Sequence, residues 1–325
     1  MEIPRRNFLR LVAAAPIVSA ASGAAFALDY PARPVHIFNG FGGGSTPDLV
    51  SRLVGQWLAE KLHQPFIVEN RVGAGGNIAA GAVAKSAPDG YTLLTSVTAD
   101  AINTSLYKNL DFNFVKDFVQ VAGVIRLPMV ILVNPAFPAK TLADFIAYAK
   151  ANPGKINFAS PGVGTPMHVA IELLKMQAGI DVVHVPYRGP APAITDLLAG
   201  QVQAFIITIS TAIGFIRSGK LRALAVTGPT RSEILPDVPS VSEMLPGFDA
   251  TAWDGISAPK GTPDAVVKIL SDNITAGLAD PQLKARIKDV GGETVPMDSA
   301  QFTKFVVAET AKWKSVVTFA HMHTD

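Results

Sequence analysis

A chain of 325 residues is long for one ordinary domain and comfortable for two. Apolar residues make up 49%, enough for sizeable cores, yet the longest apolar runs past residue 27, at 127–133 and 204–207, fall far short of the roughly 18 residues that cross a bilayer. The net charge of +2 comes with no basic stripe, which argues against a nucleic-acid partner, and the absence of cysteine excludes disulfides and thiolate chemistry.

Residues 1–27 read as an export leader. Arg5, Arg6 and Arg10 form a charged start, a mildly apolar stretch covers 11–18, and Ala25-Phe26-Ala27 matches an A-x-A cleavage site with the cut after Ala27. Pro4-Arg5-Arg6-Asn7-Phe8-Leu9-Arg10 resembles a twin-arginine signal. The leader sets three arginines against Glu2, so the remainder holds 25 basic and 25 acidic residues and is formally neutral.

Beyond the leader, short β-branched or aromatic runs alternate with longer amphipathic ones, the pattern of an α/β fold with largely parallel sheets. A strand is predicted over 35–38, then a helix over about 48–62 whose apolar stripe is Leu49, Val50, Leu53, Val54, Trp57, Leu58 and Leu62. A strand at 66–69, a helix at 78–87 and a strand at 91–95 follow. The middle of the chain gives strands at 130–133, 156–159, 182–185, 202–206 and 223–226, with helices at 142–151, 167–178, 191–198 and 212–218. A proline-rich excursion over 229–246 breaks the alternation. A strand at 253–257 and helices at 264–278, 282–290 and 301–319 complete the chain. That last section is too helical to stand alone. One lobe is therefore expected from 29–125 plus 250–325 and the other from 126–249, with a cleft between them.

In open α/β sheets, ligands sit beyond the carboxyl ends of strands, where helix N-termini offer free N–H groups. Two loops of this chain share that chemistry: Gly42-Gly43-Gly44-Ser45-Thr46-Pro47-Asp48 and Gly162-Val163-Gly164-Thr165-Pro166. Glycine permits close approach, Thr caps, and Pro suits the first helical turn. Each alone is also what a well-capped helix start needs; the pair, one per lobe, points to a cleft. Gly73-Ala74-Gly75-Gly76-Asn77 is either an anion nest or a tight turn. Tyr187-Arg188 puts an aromatic ring and a guanidinium at a strand end, where a solvated or salt-bridged side chain is the commoner role and contact with a ligand carboxylate the alternative.

Catalytic signatures fail on inspection. G-x-G-x-x-G breaks at Ile78 and at Met167, and the P-loop-like run from Gly214 ends in Leu221 where Ser or Thr should bind Mg²⁺. There is no H-E-x-x-H or G-x-S-x-G, and His168 has no evident carboxylate partner in sequence. His321 and His323 suit a terminal tail better than a metal site.

Many ordered segments carry a resemblance: Tyr30-Pro31 with Pro34, Val68-Glu69-Asn70-Arg71, Pro88-Asp89-Gly90-Tyr91, Asn157-Phe158-Ala159-Ser160, His184-Val185-Pro186-Tyr187-Arg188-Gly189, Gly219-Lys220-Leu221-Arg222 and Leu235-Pro236-Asp237-Val238-Pro239. Over most of residues 30–320 the chain resembles the substrate-binding receptors of tripartite tricarboxylate transporters, the Bug-type family. The resemblance implies a two-lobed type 2 periplasmic binding protein fold that closes on a small carboxylate. It also implies a monomer without cofactor, metal or catalysis, whose partners are the membrane components of the transporter. It places ligand contacts at Phe41, Gly43, Gly44, Ser45 and Asp48, at Gly73, Ala74, Gly75, Gly76 and Asn77, and at Ser96, Thr98, Ser160, Thr165 and His168. Tyr187, Arg188 and Thr208 complete the expected set. Many members carry an Asp where this chain runs Ile206-Ile207-Thr208, so a ligand without an ammonium group is expected. The competing reading is an exported α/β hydrolase or transferase using the same cleft.

Overall fold

A computed structural model describes residues 29–324, and the expected leader with its cleavage site lies outside them. The chain opens with β1 (Val35–Asn39), α1 (Thr46–Leu62), β2 (Phe66–Asn70), α2 (Asn77–Ala84), β3 (Thr92–Val97), α3 (Thr98–Leu106) and β4 (Phe118–Leu127). It continues with β5 (Met129–Val133), α4 (Leu142–Ala151), β6 (Asn157–Ser160), α5 (Pro166–Ala178), β7 (Val183–Pro186), α6 (Pro190–Leu198), β8 (Ala204–Thr208), α7 (Ile209–Arg217) and β9 (Arg222–Val226). β10 (Ala252–Pro259), α8 (Asp264–Ala279), α9 (Pro281–Asp289), β11 (Glu293–Met297) and α10 (Ser299–Phe319) close it.

Two sheets result, ordered β11-β4-β10-β3-β1-β2 and β7-β6-β8-β5-β9. They are mixed, not largely parallel. β1 pairs in parallel with β2 and β3, and β6 with β7 and β8. β10 runs antiparallel to β3 and β4, and β5 antiparallel to β8 and β9. The departures coincide with the places where the chain changes sheets. Residues 127–133 look like one apolar run, but Pro128 divides them: Leu127 ends a strand of the first sheet and Met129 begins one of the second. Proline has no N–H to continue a ladder, so the run breaks there. The return path lies alongside: Met129 O accepts from Thr227 N at 2.9 Å, and Thr227 O accepts from Ala250 N at 2.9 Å.

The first sheet is covered on both faces. Adjacent residues of β1 point to opposite sides: Ile37 joins a core with Val50, Leu58, Leu270 and Ile274 of α1 and α8. Phe38 joins another with Ile102, Phe302 and Trp313 of α3 and α10. That second core continues into the other sheet, since α10 also packs against α5. Every residue of β5 and β10 is buried, so neither shows the apolar–polar alternation of a half-exposed strand. Among the described residues no helix is long and apolar enough to cross a membrane.

Candidate functional site

α1 begins on Thr46 and Pro47 because Ser45 lies in extended backbone and proline's missing N–H costs nothing in a first turn. α5 repeats the device: Thr165 is the N-cap, its hydroxyl accepts the N–H of His168 at 3.3 Å, and Pro166 follows. These two starts, one on each sheet, face a cavity of about 270 Å³. The first residues of α3 and Thr208, which precedes α7, line it too. Four helix N-termini thus open on one space. At α3 the N-cap position is Val97, whose side chain has no oxygen to accept the free first-turn N–H groups. Among the described residues that line the cavity there is no Lys, Arg or His, so the positive ends it offers are those of the helix dipoles. The walls are mostly apolar, with Phe41, Leu106, Tyr107, Met167 and Trp253 prominent, and include the acid Asp254.

Of the residues expected to meet a ligand, Phe41, Gly75, Thr98, Thr165 and Thr208 line this cavity. The Thr98 hydroxyl is already occupied, accepting from Trp253 N at 2.7 Å and donating to Trp253 O at 3.3 Å, which ties α3 to β10. Gly73, Ala74, Gly75 and Gly76 all have positive φ (143°, 47°, 64° and 100°). Asn103 holds this turn by donating to Gly75 O at 3.0 Å and Asn77 Oδ1 at 2.9 Å. Asn77 therefore stands behind the turn, as its buried side chain shows.

Several expected residues support the loops from outside the lining. Gly43 and Gly44 are exposed, and the Ser45 hydroxyl is buried without a partner among the described residues. Asp48 is buried and accepts from Gly44 N, Arg52 Nε and Asn70 Nδ2 at 2.9–3.1 Å. Burial opposes its ionisation, but those hydrogen bonds and the Arg52 charge hold the carboxyl below the usual range. Ser96 accepts from Ser257 at 2.8 Å inside the first sheet. Tyr187 donates to Asp196 at 2.7 Å, and Arg188 is exposed.

His168 sits one layer behind Thr165, where its Nδ1 accepts the Gly164 N–H at 3.1 Å. It does have a carboxylate neighbour that sequence inspection passed over: Glu172, one turn on, lies 3.9 Å from Nε2. Glu172 is itself taken by Lys175 at 2.9 Å. Ser160 pairs with His184 Nε2 at 2.6 Å, yet it is fully buried, exchanges hydrogen bonds with Gly162 and does not reach the cavity. A nucleophile needs a face toward its substrate; this serine has none.

Sequence reading also missed residues that line the cavity, among them Asn103, Tyr107, Trp253 and Asp254. Asp254 left a signal, an acid in the middle of an otherwise apolar strand.

Residues 50–321 match the model of the tripartite tricarboxylate transporter family receptor. The chain belongs to this family. Solved structures agree across nearly the whole receptor. The periplasmic binding protein BugD is 33% identical with a TM-score of 0.73, covering 91% of this chain and 100% of BugD. Rpa4515 of R. palustris, solved with adipate, is 31% identical with a TM-score of 0.77 and the same two coverages, 91% and 100%. MatC of Rhodopseudomonas palustris, solved with bound malate, is 33% identical with a TM-score of 0.73, covering 89% of this chain and 100% of MatC. The receptor thus has the two-lobed periplasmic binding protein fold and is a solute-binding receptor of the periplasm.

Proposed function

We propose that this receptor captures a small carboxylate between lobes formed by 29–125 plus 250–325 and by 126–249, and delivers it as a monomer to the membrane components of a tripartite tricarboxylate transporter. One observation carries the reading: four helix N-termini converge on a cavity whose described lining has no basic side chain. Such a cradle favours an anion through backbone N–H groups, each charge-assisted bond contributing about 1.5–3 kcal/mol. The adipate and malate bound by the two R. palustris receptors support the same ligand class. Glycine at 164 brings the second lobe close to Leu106 of the first, as a closed cleft requires; a Cβ there would lie 2.5 Å from Leu106 Cδ2. The leader, cut after Ala27 and routed through Arg5 and Arg6, would carry the chain to the periplasm.

A thermal-shift screen of the mature protein against C4–C8 aliphatic and aromatic carboxylates tests the proposal. A true ligand at about 100 times its Kd stabilises by about 2.7 kcal/mol. Stabilisation by amines or sugars alone would overturn the carboxylate assignment. Chemically altered ligand after long incubation would favour the hydrolase or transferase reading.

A further inference from the structure

Asp254 is out of character with its surroundings. It is 3% exposed, lines the cavity, and its Oδ2 has no hydrogen-bond partner among the described residues. Asp100 approaches from α3 and is equally buried. No described ion pair involves either carboxyl. The strand neighbours level with Asp254 are Val97 on β3 and Ile125 on β4. From the second lobe the lining presents Thr165, Met167 and Thr208, none of them ionisable. Asp100 is thus the titratable group that acts on Asp254.

Two neighbouring buried carboxyls without a cation cannot both ionise cheaply; one keeps its proton. Asp100 lies in the first turn of α3, where the helix dipole favours a negative charge, and accepts the Val97 N–H at 2.8 Å. Asp254 has neither aid, so the proton belongs there. Burial pushes Asp100 up to about 7. Burial, then the Asp100 charge, pushes Asp254 up to about 8. A protonated carboxyl is a donor, and a buried donor without an acceptor is costly. The cavity that Asp254 lines is where an acceptor can arrive.

We propose that Asp254 meets the ligand as an un-ionised carboxylic acid and donates its O–H to a ligand oxygen, selecting an oxygen acceptor at that end and rejecting an ammonium group. This rests on the carboxylate reading of the cavity and adds what the far end of the ligand must offer. An O–H···O⁻ bond of this kind is among the stronger hydrogen bonds.

The test is calorimetric titration of the mature protein with whichever acids of the C4–C8 panel bind at pH 7, beginning with adipate and malate, repeated at pH 9. Ligand carboxylates are ionised throughout, so a change reports the protein. Binding requires the protonated form, so affinity falls as pH rises through the value of Asp254, by about tenfold between pH 7 and 9. Asp254→Asn, which keeps a donor but cannot titrate, should lose that dependence and bind the acid more tightly than native protein at pH 9. Asp254→Leu should weaken binding at least tenfold at pH 7 and, having nothing to titrate, should bind with the same affinity at pH 9. An affinity of the native protein that stays flat to pH 9 overturns the proposal, and needs no variant to fold. So does tighter binding of 2-aminoadipate than of adipate that vanishes in Asp254→Asn, which would mark Asp254 as an ammonium partner. A panel in which no carboxylate binds native protein overturns the parent reading, and this one with it.

Discussion

His168 of α5 and His184 of β7 stack face to face, their ring centroids 3.6 Å apart and their planes 12° from parallel. Burial, then the neighbouring His184 and Lys175, pushes His168 down to about 3; burial, then Lys175, pushes His184 down to about 4. Both rings are therefore neutral at the pH of the periplasm, which leaves His168 Nδ1 free to accept from Gly164 and set the cavity-lining loop.

The pair makes stability depend on acid. The unfolded chain binds protons at these histidines near pH 6.5, and the folded chain resists them down to about 3 and 4. Their contribution is complete above about pH 6.5 and falls as pH drops toward the folded values. Counting His168 alone, since His184 is partly exposed, urea unfolding at pH 5 should give about 1–2 kcal/mol less stability than at pH 7. In His168→Gln most of that difference should disappear. Equal pH dependence in native and variant protein would show that other groups govern the acid limb.

Two glycines with similar sequence surroundings should behave differently. Gly75 has φ +64°, lines the cavity, and would place a Cβ 3.2 Å from Tyr107 Oη and 3.3 Å from Asn103 Nδ2. Gly75→Val should reduce affinity at least tenfold by straining the turn and displacing Asn103. Gly43 has open space around it, lies outside the lining and lacks a positive φ. Gly43→Val should bind within about twofold of native protein. Titration calorimetry on both decides whether the first loop or the Gly75 turn forms the tight part of the cradle.

Side-chain hydroxyls and the strand-end guanidinium can be separated in the same way. Thr165→Ala removes both the α5 cap and a cavity-lining hydroxyl. It should cost about 1 kcal/mol of stability and weaken binding several-fold. Arg188 is exposed and outside the lining, so Arg188→Ala should change affinity less than twofold. Loss of binding in Arg188→Ala with retention in Thr165→Ala would mean a guanidinium clamp in place of a backbone cradle.

Glu309 of α10 holds one wall of the cavity from behind. It accepts the indole N–H groups of Trp253 at 3.1 Å and Trp313 at 2.9 Å, and pairs with Lys312. All but 6% of its surface is buried. Glu309→Ala leaves two buried donors unsatisfied and should destabilise the receptor by about 2–4 kcal/mol. Thermal melts would check this, and a midpoint unchanged from native would mean that water replaces the carboxylate without loss.

Much of this protein was legible along the chain because local physics writes directly into sequence. The stripe Val50, Leu53, Val54 and Leu58 is the buried face of α1, and Thr165 caps α5 ahead of Pro166 as capping rules put it, whereas at 46–47 the N-cap is Ser45 and Thr46 already belongs to the helix. The strand expected at 130–133 is β5, but the apolar run 127–133 hides the break at Pro128 where the chain passes from β4 to β5. α3 and β4 went unpredicted: α3 carries Thr98, Asp100, Asn103 and Thr104, which blur its apolar stripe, and β4 is buried over most of its length and lacks a clean alternation.

What the sequence determined by itself was the α/β alternation, the glycine and Thr-Pro loops, and the family, all properties of residues near one another in the chain. Only the tertiary structure decided which residues of those loops line a cavity. It put Ser160, His168 and Asp48 behind the loops as supports, and brought Asp254 of β10 beside Asp100 of α3 at the wall of a shared cavity. The two acids are 154 positions apart in the chain. The cost of burying two carboxyls together without a cation arises only when distant strands and helices pack, and no local pattern encodes it.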